Sequence, residues 1–300
     1  GTRQTEKTKR RDKESYNFMD VLHPHMNEKI EKLKRYFEEK ENVLLAFIFG
    51  SSARGVEGED SDLDIGVYLK NRTEEDEIWR GISKIVEREI DLVVLNDAPA
   101  TLVSNAFKTG IPFVIKDRKL YWNLYLAKSL EAEDFLEFAE SYWRIYSRSA
   151  SLIPEDKVRL LERIQFLESE YQEMGEFNAL TFEEYRQDKA KRRNIERWTE
   201  NVINATIDIA KIVLAAEKRE MPRTYEQALS DFGIFIGLEV KEAGDLSTFA
   251  RLRNILTHEY LDVTYERIKK FIVASRSIYE VMLKFLSKYI SRSESIPSEG

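Results

Sequence analysis

Apolar and polar positions change rhythm once along this chain, near residue 117. Before that point, short solid apolar runs alternate with segments of helical spacing. Val43–Phe49 reads VLLAFIF, and residues 63–69, 90–95 and 112–116 form similar runs, of the length and make-up of buried strands. Met26–Lys40 carries Ile30, Leu33, Tyr36 and Phe37 at helical spacing. Glu74–Glu89 puts Ile78, Ile82, Ile85 and Val86 on one helical face. A shorter helix is predicted over Pro99–Lys108, closed by Gly110. Strands alternating with helices predict a small mixed sheet.

After Asp117 the strand signals stop. Helices are predicted over 155–174, 182–218, 224–231, 246–259 and 263–290, with breaks at Gly175–Thr181, Met221-Pro222 and Gly233–Gly244. Ile195, Trp198, Val202, Ala205, Ile209, Ile212 and Val213 form one broad apolar stripe, the core face of a helical bundle. No internal repeat is visible. The expected fold class is α+β: a mixed sheet with helices over 19–120, an aromatic-rich helical connector over 121–154, and an all-α bundle over 155–290. Residues 1–18 and 291–300 read as disordered tails.

Composition narrows this picture modestly. A chain of 300 residues predicts about two domains. With 42% hydrophobic and 34% charged residues it can build real cores under a polar surface. No apolar run approaches the roughly 18 residues of a membrane span, and no signal-peptide pattern is visible. The chain has no cysteine, so disulfides and thiolate zinc sites are excluded, and a reducing cytoplasm is the expected compartment. A net charge of −7 argues against a broad nucleic-acid-coating surface, while a local basic groove stays compatible with it.

Candidate chemistry gathers in two places. The first is Gly50-Ser51 at the end of the first apolar run, followed by Asp62-Leu63-Asp64 at the start of the second. Glycine permits a sharp turn and close approach of a phosphate. Ser51 adds a hydroxyl, and the amides that follow can open a helix facing an anion. Asp62 and Asp64 are two apart, so a strand presents both on one face. Asp91 supplies a third carboxylate from the next strand. Such a set suits Mg²⁺ or Mn²⁺ bound with the phosphates of ATP, and Asp91 could help deprotonate an attacking hydroxyl. Taken alone, Asp60-Ser61-Asp62 is equally the chemistry of a solvated loop.

Residues 43–116 resemble the minimal nucleotidyltransferases of the DNA polymerase β-like superfamily. The likeness rests on Gly50, Ser51, Arg54, Gly55, Asp60, Ser61, Asp62, Asp64 and Asp91, and on the run from Asp91 to Pro99. It implies a nucleotide-binding role for Gly50, Ser51 and Arg54 and metal binding by Asp62, Asp64 and Asp91. The family often has a basic residue shortly before the Asp-Ser-Asp; this chain has Val56-Glu57-Gly58-Glu59 there.

The second place is Arg253-Asn254-Ile255-Leu256-Thr257-His258-Glu259-Tyr260. Asn254 and His258 are one helical turn apart, and Arg253 and His258 stand about 140° apart on an ideal helix. A histidine exchanges protons near neutral pH and an arginine grips a phosphodiester, so together they suit metal-independent RNA cleavage by the neighbouring 2′-hydroxyl. On the residues alone, a solvated helix end with a capping histidine is the competing reading.

Residues 155–290 resemble the HEPN superfamily, in the branch whose members pair with minimal nucleotidyltransferases. Arg253-Asn254-x3-His258-x-Tyr260 fits the family's Arg-x4-His-x-Tyr. Support comes from Ile207-Asp208-Ile209-Ala210, from Pro222-x2-Tyr225 and from Leu180–Tyr185 with the basic stretch after it. The resemblance implies an all-α homodimeric ribonuclease toxin with Arg253 and His258 as catalytic residues, Asn254 in support and RNA as substrate. It also implies an antitoxin that transfers AMP from ATP to the motif tyrosine, here Tyr260. The usual arrangement uses two proteins; here both parts lie in one chain. The alternative is a small-molecule nucleotidyltransferase, of the kind that modifies aminoglycosides, with a helical dimerisation domain.

Overall fold

The computed structural model describes residues 24–53, 63–86, 90–148, 152–256 and 261–294. Side chains at 24–29, 51–52, 261–263 and 292–294 lie outside that description, as do the expected tail at 1–18 and residues 295–300 of the expected tail at 291–300, whose first four residues are helical. The chain divides into two compact units, residues 1–98 with 102–129, and residues 99–101 with 130–300. The N-terminal part is a mixed sheet with helices and the C-terminal part is all helical, the expected α+β class.

The sheet unit contains α1 (Pro24–Glu39), β1 (Val43–Phe49), a single turn α2 (Gly50–Ala53), β2 (Leu63–Leu69), α3 (Glu75–Ile85), β3 (Ile90–Val94), α4 (Ala100–Thr109) and β4 (Ile111–Ile115). Among the described residues the four strands lie in the order β3-β2-β1-β4. β1 is antiparallel to β2 and β4, and β2 is parallel to β3, with α3 in the crossover. Burial on both faces explains the unbroken apolar run of β1, and a bulge at Leu44 shifts its register. The bulge turns Val43 to the face of Ala46 and Ile48, which pack with Ile30, Leu33 and Phe37 of α1 and Ile78 and Ile82 of α3. Leu45, Phe47 and Phe49 pack on the other face with Val103, Ala106 and Phe107 of α4. β4 is an edge strand, which is why it tolerates Pro112 and an unpaired Phe113.

Two asparagines extend β2 beyond its own pairing. Asn96 donates its amide to the Leu69 carbonyl at 2.8 Å and accepts from the Leu69 N–H at 2.9 Å. Asn42 does the same for Asn71, both bonds at 2.6 Å. Each imitates a neighbouring strand and adds about 1 kcal/mol per bond to the register.

In the helical unit are α6 (Pro154–Ala179), α7 (Phe182–Gln187), α8 (Lys189–Ala216), α9 (Tyr225–Phe235), α10 (Val240–Ile255) and α11 (Leu261–Glu294). Helix α5 (Arg118–Tyr146) begins in the sheet unit, and from Leu130 on it belongs to this one. Phe135, Phe138, Tyr142 and Ile145 of α5 are core residues here, so this stretch of the expected connector is a member of the bundle. The apolar stripe of α8 is buried throughout. Two buried tyrosines find partners inside: the Tyr279 and Thr206 hydroxyls lie 3.0 Å apart, and Tyr142 donates to the Arg219 carbonyl at 2.8 Å.

Several helix boundaries differ from expectation. The predicted helix 182–218 is two helices, because Asp188 caps α8 by accepting from the N–H groups of Ala190 and Lys191. α6 runs through Gly175 to Ala179. Gly233 and Gly244 lie inside α9 and α10, and the turn between them sits at Gly237, whose φ is +92°. Gly233 serves packing instead: a Cβ there would stand 3.1 Å from the Ala243 Cα, so its absence lets α9 and α10 approach closely. α3 ends at Ile85, short of 89, and α11 continues past 290 to Glu294. Among the described residues, no helix is long and apolar enough to cross a membrane.

Candidate functional site

Backbone geometry builds the first site. Gly50 follows the last residue of β1 with φ at +73°, a left-handed conformation that favours glycine. A Cβ at this position would lie 1.9 Å from Oδ2 of Asp64. Glycine is thus required twice, for the turn and for the carboxylate lying against it.

Asp64 is the register partner of Asp91 on the parallel neighbour β3. Adjacent strands stand about 4.8 Å apart, and paired residues project from the same face. That face is the one carrying Gly66 and Val93, while Leu63, Ile65, Leu92 and Val94 turn toward α1 and α3. A one-residue slip of β2 would drive the Asp64 carboxylate into an apolar core, so the alternation itself enforces the pairing. Asp64 is half-buried and Asp91 is exposed.

The structure thus brings Gly50, Asp64 and Asp91 together. Of Ser51 only the backbone is described, continuing the turn. Arg54, Gly55, Asp60, Ser61 and Asp62 lie outside the described residues. Among the described residues there is no group of three acids or histidines arranged for a metal. Asp64 and Asp91 nevertheless fit a divalent cation in donor type and placement, being hard oxygen donors on neighbouring strands beside a turn that admits a phosphate.

Side chains build the second site. Arg253 lies in the last turn of α10 and Asn254 follows it. His258 and Tyr260, together with Thr257 and Glu259, lie outside the described residues. Arg253 Nη2 meets Asp134 Oδ2 of α5 at 2.6 Å, and its side chain is 20% exposed. The guanidinium lies 5.1 Å from the centre of the Tyr225 ring at the start of α9. Burial first, and then the Asp134 charge, pushes the Tyr225 hydroxyl well above the usual tyrosine range, while Arg253 pulls the other way. Tyr225 is therefore neutral at any physiological pH.

These groups line a cleft of about 370 Å³ with Glu137, Phe138, Ser141, Asn204, Asp208 and Lys211. Asp208 is held by Arg163 and Lys211, each at 3.0 Å. Asp134 carries no sequence signal of its own. It is one of four acids between 131 and 137, and only packing of α5 selects it.

Comparison with known proteins agrees with both halves. Residues 31–119 match the family model of polymerase beta nucleotidyltransferases, and residues 161–286 match that of HepT-like ribonucleases. The chain therefore carries a polymerase β-type nucleotidyltransferase domain followed by a HepT-like domain. Residues 120–160 fall within neither match. No curated protein matches the chain. Among solved structures, a toxin–antitoxin with AMP-PNP aligns at 21% identity, covering 38% of this chain and 95% of its own, with a TM-score of 0.31. The MntA-HepT toxin–antitoxin aligns at 20%, covering 38% and 93%, with a TM-score of 0.28.

Proposed function

We propose that this chain, a nucleotidyltransferase domain joined to a HepT-like domain, transfers AMP from ATP to Tyr260 of its own sequence or of a second copy. The transfer would control a metal-independent ribonuclease built on Arg253 and His258. The pairing of Asp64 with Asp91 beside the Gly50 turn carries the reading, because it sets two carboxylates at a place where phosphates can approach.

Asp62, Asp64 and Asp91 would hold Mg²⁺ or Mn²⁺, which when bound neutralises phosphate charge. Gly50, Ser51 and Arg54 would seat the triphosphate. The Tyr260 oxygen attacks the α-phosphorus of ATP. A new O–P bond forms, the bond from that phosphorus to the bridging oxygen breaks, and pyrophosphate leaves. Asp91 accepts the phenolic proton and releases it to solvent. In the HepT-like half, Arg253 would grip a phosphodiester while His258 moves the proton of the attacking 2′-hydroxyl, with Asn254 in support. AMP on Tyr260 adds bulk and negative charge beside that pair and so excludes RNA. The active form of this half is read as a homodimer.

Incubation of the purified chain with α-labelled ATP and Mg²⁺ tests the reading. Label is expected on Tyr260, lost in Asp62→Asn and in Tyr260→Phe. Undiminished labelling of Tyr260→Phe would show that the acceptor is elsewhere.

A second reading draws on one observation, the engagement of Arg253 with Asp134 rather than open solvent. In it, the helical half is a dimerisation platform and the acceptor is a hydroxylated small molecule such as an aminoglycoside. It predicts turnover on such a compound with no protein-bound label.

A further inference from the structure

A guanidinium sees a carboxylate and a phosphodiester alike, as a pair of acceptor oxygens on one anion. The two therefore compete for the same face of an arginine. Asp134 already holds Arg253, at 2.6 Å. Asp208 is occupied by Arg163 and Lys211, and Asp134 is the acid that meets the guanidinium. Beneath it, the buried Tyr225 ring supports the guanidinium as a neutral platform and fixes its direction. Asp134 also comes from the stretch that neither family match covers, so neither family pattern accounts for it.

We propose that Asp134 is a built-in competitor of the RNA phosphodiester for Arg253, through which α5 restrains the HepT-like half. The proposal rests on the ribonuclease reading of Arg253. Arg253 must give up its Nη2 contact with Asp134 to turn its full fork of donors to a phosphate. Because the Asp134 side chain is 40% exposed, the contact exchanges with solvent and is a restraint, not a lock. Substrate RNA works against it at a cost in apparent affinity, and loss of the carboxylate removes that cost.

The test uses the full chain carrying Asp62→Asn, with and without Asp134→Asn. The probe is phenylglyoxal, an arginine-selective dicarbonyl, with modification at Arg253 followed by peptide mass spectrometry. Arg253 is expected to react about tenfold faster in the Asp134→Asn variant, the ratio set by loss of one close ion pair. Cleavage of a single-stranded RNA oligonucleotide should rise by a similar factor and vanish when Arg253→Ala is added. Unchanged Arg253 reactivity overturns the proposal. Cleavage that falls in a folded Asp134→Asn protein also overturns it, since Asp134 would then assist. Freed Arg253 with intact RNA in every variant upholds the competing contact and sinks the ribonuclease reading. Should Asp134→Asn misfold, rising salt in the parent must accelerate Arg253 modification by screening the pair, and a flat response overturns the proposal.

Discussion

Two carboxylates in the sheet unit are placed by backbone pairing, whereas the arginine of the helical unit is placed by side chains from other helices. Asp64 and Asp91 face the same way because β2 and β3 share one register, clamped by Asn96 and bounded by the Gly50 turn. Arg253 has a Cα fixed by α10, but its guanidinium is directed by Tyr225 of α9 and Asp134 of α5. The first arrangement fails as a whole when the register fails, yet it tolerates changes in surrounding side chains. The second can be retuned by one substitution.

The largest expected effect tests the backbone-set site. Asp64→Asn and Asp91→Asn should each lower nucleotidyl transfer by about a thousandfold in the labelling assay. If one of them retains the parental rate, the in-register pair does not define the site. Gly50→Ala comes next. Its Cβ collides with the Asp64 carboxylate at a positive φ, so a stability loss of about 2 kcal/mol in denaturant unfolding is expected, with transfer falling further. Parental stability in this variant would mean that the turn and the carboxylate are independent.

Smaller effects belong to the helical unit. Tyr279→Phe removes a buried hydroxyl from Thr206, which keeps its bond to the Val202 carbonyl, so thermal unfolding should register a loss of about 1 kcal/mol. Smallest is a pH effect at the start of α7. Lys191, and then Thr181, holds the Glu184 carboxyl at about 2, down from 4.5. A lowered carboxyl contributes stability that is complete above the ordinary value and lost as pH falls toward 2. Unfolding midpoints between pH 5 and pH 2 should therefore fall less steeply in Glu184→Gln than in the parent. Identical slopes would remove this end of the comparison.

The same contrast explains what could be read from the chain. Strand runs, the glycine turn and the aspartates at even spacing are local patterns, and one periodicity rule converts them into faces. The stripe of α8 was readable for the same reason. Gly233 and Gly244 misled because glycine in a helix interior and glycine at a turn look alike in one sequence; the close approach of Ala243 gives a reason for Gly233, while a Cβ at Gly244 would meet nothing. Asp188 capping α8 interrupts a helix without a glycine or proline to mark it. The partnership of Asp134 with Arg253 joins residues far apart in the chain, and nothing local to either announces it.

The edge of the sheet has a consequence for behaviour in a crowd. β1, with its seven apolar residues, would be a hazard if one of its sides were open, since such heptads template growth by strand addition. It is paired on both sides. The strand exposed beyond it, β4, contains a proline without an N–H to offer and a residue out of step. An incoming copy would meet a broken ladder there, which disfavours addition of a further strand through β4.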